Sequence, residues 1–512
     1  MVWRAEDPCG HESSKIVWEL PRYTRGRGLD LGCGPHKVFQ HAIGVDNYKA
    51  TAQFGVEMRP DVVSDCERID VFGSASMEWV FSSHLLEHIK DYRAALKEWM
   101  RVVKPGGHLI LYVPHKELYP NVGTPGANPD HVHDFMPDDL IKGMRDAGGW
   151  DLVRNEKRDQ EREYSIFQVY RKRSDGKQVI HAPTKPQKSC AVVRYGGLGD
   201  MIQMSSVLPG LKDQGFHVTV YTTPRGQDVV RHDPHIDEFY VMDTDQVPNH
   251  HLGNFWDWES KKYDRWINLS ESVEGTYLAL PGRTPFLWPH EVRHKHLNGN
   301  YAEFTHDLAG VPMPTRQAFY ATDAEKAWAR KERAKLGGES LVMYALSGSS
   351  VHKVWPWMDQ LIARIMVARP GVNIVTVGSA LEQMLEAGWE KEPRVRLRSG
   401  KYTVRETMAL VAECDMVIGP ETGILNVAAN MPMPKVILLS HSSQNNLTKH
   451  WTNTVAVEPE NTPCYPCHRM LSGFDYCNRS ETTGTALCAT NISTDKVWAA
   501  FESLMEQRKL AA

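Results

Sequence analysis

The chain has 512 residues, 41% apolar and 24% charged, with 38 Gly and 30 Pro; that profile fits a folded protein of about three or four domains and excludes a disordered, collagen-like or disulfide-scaffold chain. A formal charge of −4 argues against nucleic acid gripped over a whole basic face, while a local basic groove stays open. No run reaches the roughly 18 apolar residues of a membrane helix, and the start, MVWRAEDPCGHESSK, lacks a basic region followed by an apolar stretch, so a soluble, cytoplasmic protein without a signal peptide is expected.

Taken in order, GLDL, AIGVD, DVVS, MEWVF and HLILYV read as five strands with helices between them, and WDLV and SIFQVY as two closing strands. They predict an α/β domain over 1–172 with a mainly parallel sheet. Residues 171–189, RKRSDGKQVIHAPTKPQKS, hold six Lys/Arg and two Pro with almost no large apolar side chain, which predicts a linker over 173–188. The strand rhythm restarts over 189–335 with CAVVRY, HVTVYT, EFYVMD and RWINLS. After a charged helical stretch at 323–335 it restarts once more over 336–512 with LVMYAL, NIVTVG, VRLRS, DMVIG and KVILLS. There Pro356 is expected at the first position of a helix whose apolar face is Met358, Leu361, Ile362, Ile365 and Met366, stopped by Pro370 and Gly371. No short tandem repeat is visible, which argues against a solenoid.

The first candidate site is GLDLGCG at 28–34, a strand running into an acid and a glycine turn. Glycines let backbone approach a ligand closely, and the acid can accept from hydroxyl or amino groups. Asp46 ends the second strand, Asp65 follows the third, and WVFSSHLLEHI brings His84, Glu87 and His88 after the fourth; VVKPGGHLILYVP is a turn and the fifth strand. Order and spacing resemble the class I methyltransferases that use S-adenosylmethionine, over about residues 26–172, with a departure at His36, where a glycine is often found. The resemblance implies a Rossmann-like domain in which Asp30, Gly32 and Gly34 form the cofactor loop, Asp46 holds the ribose, Asp65 lies by the adenine, and Ser83 and His84 line the methionine end. A hydroxyl acceptor needs a base, and neutral imidazole serves near pH 7; His88 leads the candidates, ahead of His115, His131 and His133. The segment TPGANPDHVHDFMP resembles the acceptor-side loop of such enzymes.

The second site begins at RYGGLGDMIQMSSVLPGLK, again strand, glycine loop and helix, but without a dinucleotide fingerprint. Asp200 is also well placed as a cap for that helix. Together with LSGSSVHKVWPWMDQL, IVTVG and CDMVIGPETGILNVAANMPMPKVILLS, it resembles glycosyltransferase family nine, the heptosyltransferase-like family, over about residues 188–510. The resemblance implies a GT-B fold of two facing Rossmann-like domains, an acceptor half at 189–335 and a nucleotide-sugar half at 336–512. It implies inverting, metal-independent transfer with Asp200 as base, Lys353 against the phosphates, and Ser347, Glu421, Thr422 and Gly423 at the donor. Glu421 stands where that family often has Asp. Trp256 and Trp258 are candidates for the acceptor side, since aromatic faces suit a sugar.

Cys464, Cys467, Cys477 and Cys488 bunch near the carboxyl end, and a two-residue spacer opens many structural zinc sites. The long later spacings leave reduced thiols or a disulfide open as well. The sequence thus predicts one polypeptide with a methyltransferase and a glycosyltransferase acting on a nucleotide sugar and a glycan or other hydroxyl acceptor. A nucleotide-sugar epimerase or hydrolase, or one domain turned binding module, are the alternatives.

Overall fold

The computed structural model describes residues 12–47, 60–160, 162–181, 188–244, 246–270, 279–313 and 318–511. The chain divides into two compact units, Met1–Pro186 with Val241–Lys262, and Gln187–Tyr240 with Tyr263–Ala512.

The first unit runs β1 (Gly28–Leu31), β2 (Ile43–Asp46), β3 (Val62–Val63), β4 (Met77–Ser83), α1 (Tyr92–Val102), β5 (Val103–Pro114), α2 (Pro137–Gly143), β6 (Gly149–Arg158), β7 (Ser165–Arg173) and β8 (Gln178–Ile180). They form one sheet in the order β3-β2-β1-β4-β5-β7-β6-β8, parallel from β3 to β5, with β7 antiparallel to both neighbours. Apolar residues alternate between its two faces. Leu29, Leu31, Val80, Leu109 and Leu111 join the helix side with Leu96, Trp99 and Met100 of α1, while Trp79, Phe81, Ile110 and Tyr112 meet Ile16, Leu20 and Phe39 on the other. Burial on both faces is what a parallel sheet requires. Helix α1 starts where Asp91 accepts from Ala94 N (3.0 Å), a side-chain cap for a free amide.

Two expectations differ from the observed fold of this unit. Only turns join β1 to β2, because the 32–42 stretch is short and carries Gly32, Gly34 and Pro35. Part of the expected linker is ordered: Gln178–Ile180 pairs with Trp150–Leu152 of β6, and Arg173 bridges Asp151 (2.8 Å) and Asp175 (2.5 Å), so the basic composition there reflects paired charges on an edge. Residues 182–187 of that stretch lie outside the described residues.

The second unit opens with β9 (Ser189–Val193), α3 (Leu198–Ser205), α4 (Leu208–Asp213), β10 (His217–Thr222), α5 (Pro224–Val230) and β11 (Glu238–Val241). The segment Val241–Lys262, with α6 (Leu252–Ser260), belongs to the first unit. There Gln246 Nε2 donates to Pro21 O (2.6 Å) and Thr24 Oγ1 (3.1 Å), Gly26 N donates to Asp243 Oδ2 (2.9 Å), and His251 meets Trp18 edge-on at 5.9 Å. Trp256 on α6 is buried, which leaves no open ring face for a sugar; Trp258 is half-buried.

The chain returns with β12 (Arg265–Asn268), α7 (His290–Leu297), α8 (Tyr301–Ala309) and α9 (Asp323–Leu336), and the four strands are ordered β11-β10-β9-β12. A capping box starts α9: Thr322 N donates to Glu325 and Glu325 N to Thr322 Oγ1. A second sheet follows, with β13 (Ser340–Ala345), α10 (Met358–Ala368), β14 (Val372–Val377), β15 (Val395–Leu397), α11 (Val404–Val411), β16 (Met416–Pro420), α12 (Gly423–Ala428), β17 (Lys435–Leu438) and β18 (Thr454–Val457), ordered β15-β14-β13-β16-β17-β18 and parallel. The chain ends with α13 (Leu487–Thr490) and α14 (Thr494–Ala511). The apolar face expected for α10 is buried, but the helix begins at Met358, two residues after Pro356. Val192, Val218 and Ile202 from the first half and Met343, Val417 and Leu425 from the second share one continuous core. Among the described residues no helix is long and apolar enough to cross a membrane.

Candidate active sites

In the first unit the glycine turn and both acids meet at the carboxyl ends of β1 and β2. Gly32 and Gly34 have φ of +68° and +60°, the left-handed region that only glycine enters freely. Open space surrounds the position where a Gly34 Cβ would stand, so the backbone forms a cradle. Gly34 N donates to Asp46 Oδ2 (2.8 Å), and Asn47 N to Asp46 Oδ1 (2.7 Å). Asp30 is buried and accepts from Val38 N (2.6 Å). Burial drives the Asp30 carboxyl up to about 7, with the Val38 amide opposing and Asp46 adding to the rise; burial also raises Asp46 against its two amide donors. Two acids held at this cost suit a ligand with a cationic centre and hydroxyls.

At the end of β4 the Ser83 hydroxyl is buried without a hydrogen-bond partner, an acceptor-donor left for a ligand. His84 adopts φ +47°, uncommon for a side-chain-bearing residue and a mark of functional sites when it occurs. Its Nε2 lies 3.0 Å from Ser165 Oγ, and burial, then the charge of Lys15, pulls its pKa down to about 3. Asp65 is exposed and accepts from Glu67 N (3.1 Å). His88 is half-buried: Nδ1 contacts Asp130 O (3.2 Å), Nε2 faces Glu87 Oε1 at 3.9 Å, and burial lowers its pKa. His131 is buried beside it, rings 4.7 Å apart. His115 Nδ1 accepts from Glu117 N, and His133 Nε2 contacts Lys90 O (3.0 Å) between Tyr92 and Phe135, a packed role. Glu87 is visible in the LEH triplet, but nothing in the sequence shows that it is buried among imidazoles.

In the second unit α3 and α12, each opened by a glycine turn, abut end to end. A Cβ on Gly423 would stand 2.9 Å from Leu198 Cβ, so glycine is what permits the approach, and Gln203 Nε2 donates to Asn426 Oδ1 (2.9 Å) across it. Asp200 caps α3 through Gly197 N and pairs with buried Arg194 (3.0 Å), its side chain 36% exposed. Lys353 is buried on a 3-10 turn; burial lowers its pKa, while Glu421 and Asp200 support the cation. A Cβ on Gly348 would stand 2.6 Å from Lys353 Cδ and 3.3 Å from Thr422 Cγ2, so Lys353 lies beside the turn that carries Glu421.

Glu421 is buried and fully engaged. It accepts from Ser440 Oγ (2.7 Å) and Ser442 N (2.9 Å) and contacts His441 Nδ1 (2.5 Å). Burial alone would raise its carboxyl, but His441, Lys353 and His352 outweigh that and hold it well below the usual range. The longer glutamate thus acts as an anchor for the 440–442 turn. Thr422 Oγ1 and His352 Nε2 are each buried without a hydrogen-bond partner. Ser347, expected at the donor, gives its hydroxyl to Glu382 (2.6 Å), and Gly423 starts α12. His352, His441 and Arg194 do not stand out in the sequence, although His441 follows the strand KVILLS and His352 precedes Lys353.

Cys464, Cys467, Cys477 and Cys488 are unbonded thiols, and burial pushes Cys467 up to about 12, away from thiolate. Among the described residues they do not form a group at metal-ligand spacing.

Both α/β units carry glycine turns at strand carboxyl ends, the place where open α/β sheets take ligands. Residues 29–111 match the methyltransferase domain family, and residues 259–477 match glycosyltransferase family 9 (heptosyltransferase). An O-methyltransferase, cnsE, of Penicillium expansum is 27% identical over 133 residues, covering 21% of this chain and 48% of that protein, so the chain spans about half the length of that curated relative. The E. coli ADP-heptose lipopolysaccharide heptosyltransferase II structure is 16% identical with a TM-score of 0.45, covering 63% of this chain and 100% of that one. A glycosyltransferase family 9 structure from Veillonella parvula is 17% identical with a TM-score of 0.46, covering 63% and 98%. Both matches, to a methyltransferase domain and to glycosyltransferase family 9, therefore lie on one polypeptide.

Proposed function

We propose that the chain is a bifunctional enzyme: methyl transfer from S-adenosylmethionine in the first unit, and inverting, metal-independent glycosyl transfer from a nucleotide-diphosphate sugar to a glycan or other hydroxyl in a GT-B second unit. S-Adenosylmethionine supplies an electrophilic methyl group. The 32–34 turn would admit its backbone-contacting edge, Asp46 would take the ribose hydroxyls in place of the Gly34 amide, and Ser83 would meet its amino acid end. In the second unit Asp200 would accept the proton of the acceptor hydroxyl, oriented by Arg194, while Lys353 neutralises charge on the departing diphosphate. Thr422 and His352 would complete the donor side.

The observation that supports this reading is buried Lys353 beside the Glu421–Thr422 turn, whose Thr422 hydroxyl has no partner, together with the Asp30–Asp46 cradle on the same chain. A thermal-shift screen tests it, since a ligand that binds only the folded state stabilises that state by mass action. S-Adenosylmethionine and at least one nucleotide-diphosphate sugar should each raise a transition, and a labelled-donor assay should show transfer to a hydroxyl acceptor. Absence of either shift would sink the corresponding half; nucleotide release without any acceptor would favour a hydrolase.

A further inference from the structure

The Glu87 side chain is 1% exposed, and neither of its oxygens has a hydrogen-bond partner. Three imidazole nitrogens surround Oε1 at distances too long for hydrogen bonds: His84 Nδ1 and His131 Nε2 at 3.8 Å, His88 Nε2 at 3.9 Å. Donor atoms of Glu87, His88 and His131 all lie within 4.8 Å of one another, the one such grouping among the described residues. In a tetrahedral site with bonds of about 2.0–2.2 Å, neighbouring donors stand about 3.4 Å apart. Glu87 Oε1 stands 3.8 and 3.9 Å from the two imidazole nitrogens, and the whole set lies within 4.8 Å, so closing on an ion takes side-chain movements of up to about 1.4 Å.

The backbone holds these groups in place. Glu87 and His88 sit on the 3-10 turn Leu86–His88 just after β4, and Val132 N (2.9 Å) and His133 N (3.3 Å) both donate to Glu87 O, clamping the loop that carries His131. His88 Nδ1 faces Asp130 O at 3.2 Å. A ring proton on Nδ1, bonded to a carbonyl, leaves the Nε2 lone pair aimed at the cluster, the outer contact that metal-binding histidines usually have.

We propose that Glu87 Oε1, His88 Nε2 and His131 Nε2 bind one divalent transition-metal ion of the zinc type. Two imidazoles and a carboxylate suit zinc, iron or nickel better than magnesium or calcium, which prefer oxygen throughout. Three protein ligands leave a coordination position open, as in zinc sites that do chemistry. His88 then ceases to be a candidate base, because both of its nitrogens are committed.

The test uses the full chain, stripped with a chelator and titrated with Zn²⁺ and Co²⁺. Because the carboxyl-terminal thiols could take zinc too, it is run on the Cys467→Ser/Cys477→Ser variant beside the wild type. Both should bind one equivalent that Glu87→Gln and His131→Ala weaken by about 100-fold or more, with circular dichroism unchanged. Co²⁺ in the cysteine variant should give visible d–d absorption without thiolate charge transfer, a readout that needs no change at the site. Loss of all binding in the cysteine variant, or unaltered affinity in Glu87→Gln and His131→Ala, overturns the proposal. Should those two variants fail to fold, the absence of the Co²⁺ spectrum overturns it alone.

Discussion

At the scale of single residues, Asp200 carries two loads that a substitution can separate. It caps α3 and pairs with Arg194, and it is the proposed base. Asparagine keeps an oxygen for the Gly197 amide, so Asp200→Asn should preserve most of the cap while removing proton acceptance. We expect kcat for sugar transfer to fall about 10²–10⁴-fold, with the thermal midpoint nearly unchanged; a normal rate would refute the base. Asp30 gives a pH signature. Its folded pKa is raised to about 7, whereas the unfolded chain ionises it near 4, so the folded state holds the extra proton between those values. Its contribution is full below about pH 4 and fades as pH rises through 7, a change of a few kcal/mol at about 1.4 kcal/mol per pKa unit. Because His84 and other buried groups of the unit titrate too, the readout is the difference: the denaturant-midpoint advantage of the wild type over Asp30→Asn should shrink from pH 4.5 through 6 to 7.5. Equal slopes would mean that Asp30 is not held protonated.

Between elements, Arg405 on α11 is the clearest structural joint of the second unit. Its buried guanidinium makes a bidentate pair with Glu325 on α9 (2.6 and 2.8 Å) and donates to Asp228 O and Val229 O of α5 and to Tyr320 O. The hydrogen bonds from Arg405 lower the Glu325 pKa to about 2. Removing one partner strands the other, so Arg405→Ala should cost about 3–5 kcal/mol in that unit's denaturant unfolding. The wild-type contribution should be full above the ordinary glutamate pKa and lost as pH falls towards 2. A loss below about 1 kcal/mol, the range of exposed pairs, would show the joint to be solvated. Nothing in the sequence announces this joint, because its groups lie far apart along the chain and pair only once the sheets share a core. Strands such as Ser340–Ala345 and Met416–Pro420 were legible because both faces are buried and their apolar runs are unbroken. Gln178–Ile180 and Thr454–Val457 were not, being short, partly exposed edges. The glycine turn at 32–34 and its acids were legible because their spacing is local. The Glu87 cluster and the Glu421–His441 contact were not, since turns from separate segments build them.

Across the whole molecule, the chain order of domains is not the order of compact units. The segment 241–262 lies between two strands of the second unit in sequence, yet it forms part of the first. Reading boundaries from composition misses this, because a segment with Phe255 and Trp256 buried looks the same whichever core it joins. The consequence can be measured in the intact protein. Gln246 is buried and satisfies Pro21 O and Thr24 Oγ1 while accepting from Asp243 N (3.0 Å). Gln246→Ala removes the side-chain partner of Pro21 O and Asp243 N, while Thr24 Oγ1 keeps Leu20 O (3.0 Å), at a cost of about 1–3 kcal/mol. The transition that S-adenosylmethionine raises should drop, while the transition that the nucleotide sugar raises should hold, as sites in separate cooperative units behave. A drop confined to the sugar-linked transition would return 241–262 to the second unit and redraw the boundary between the two units.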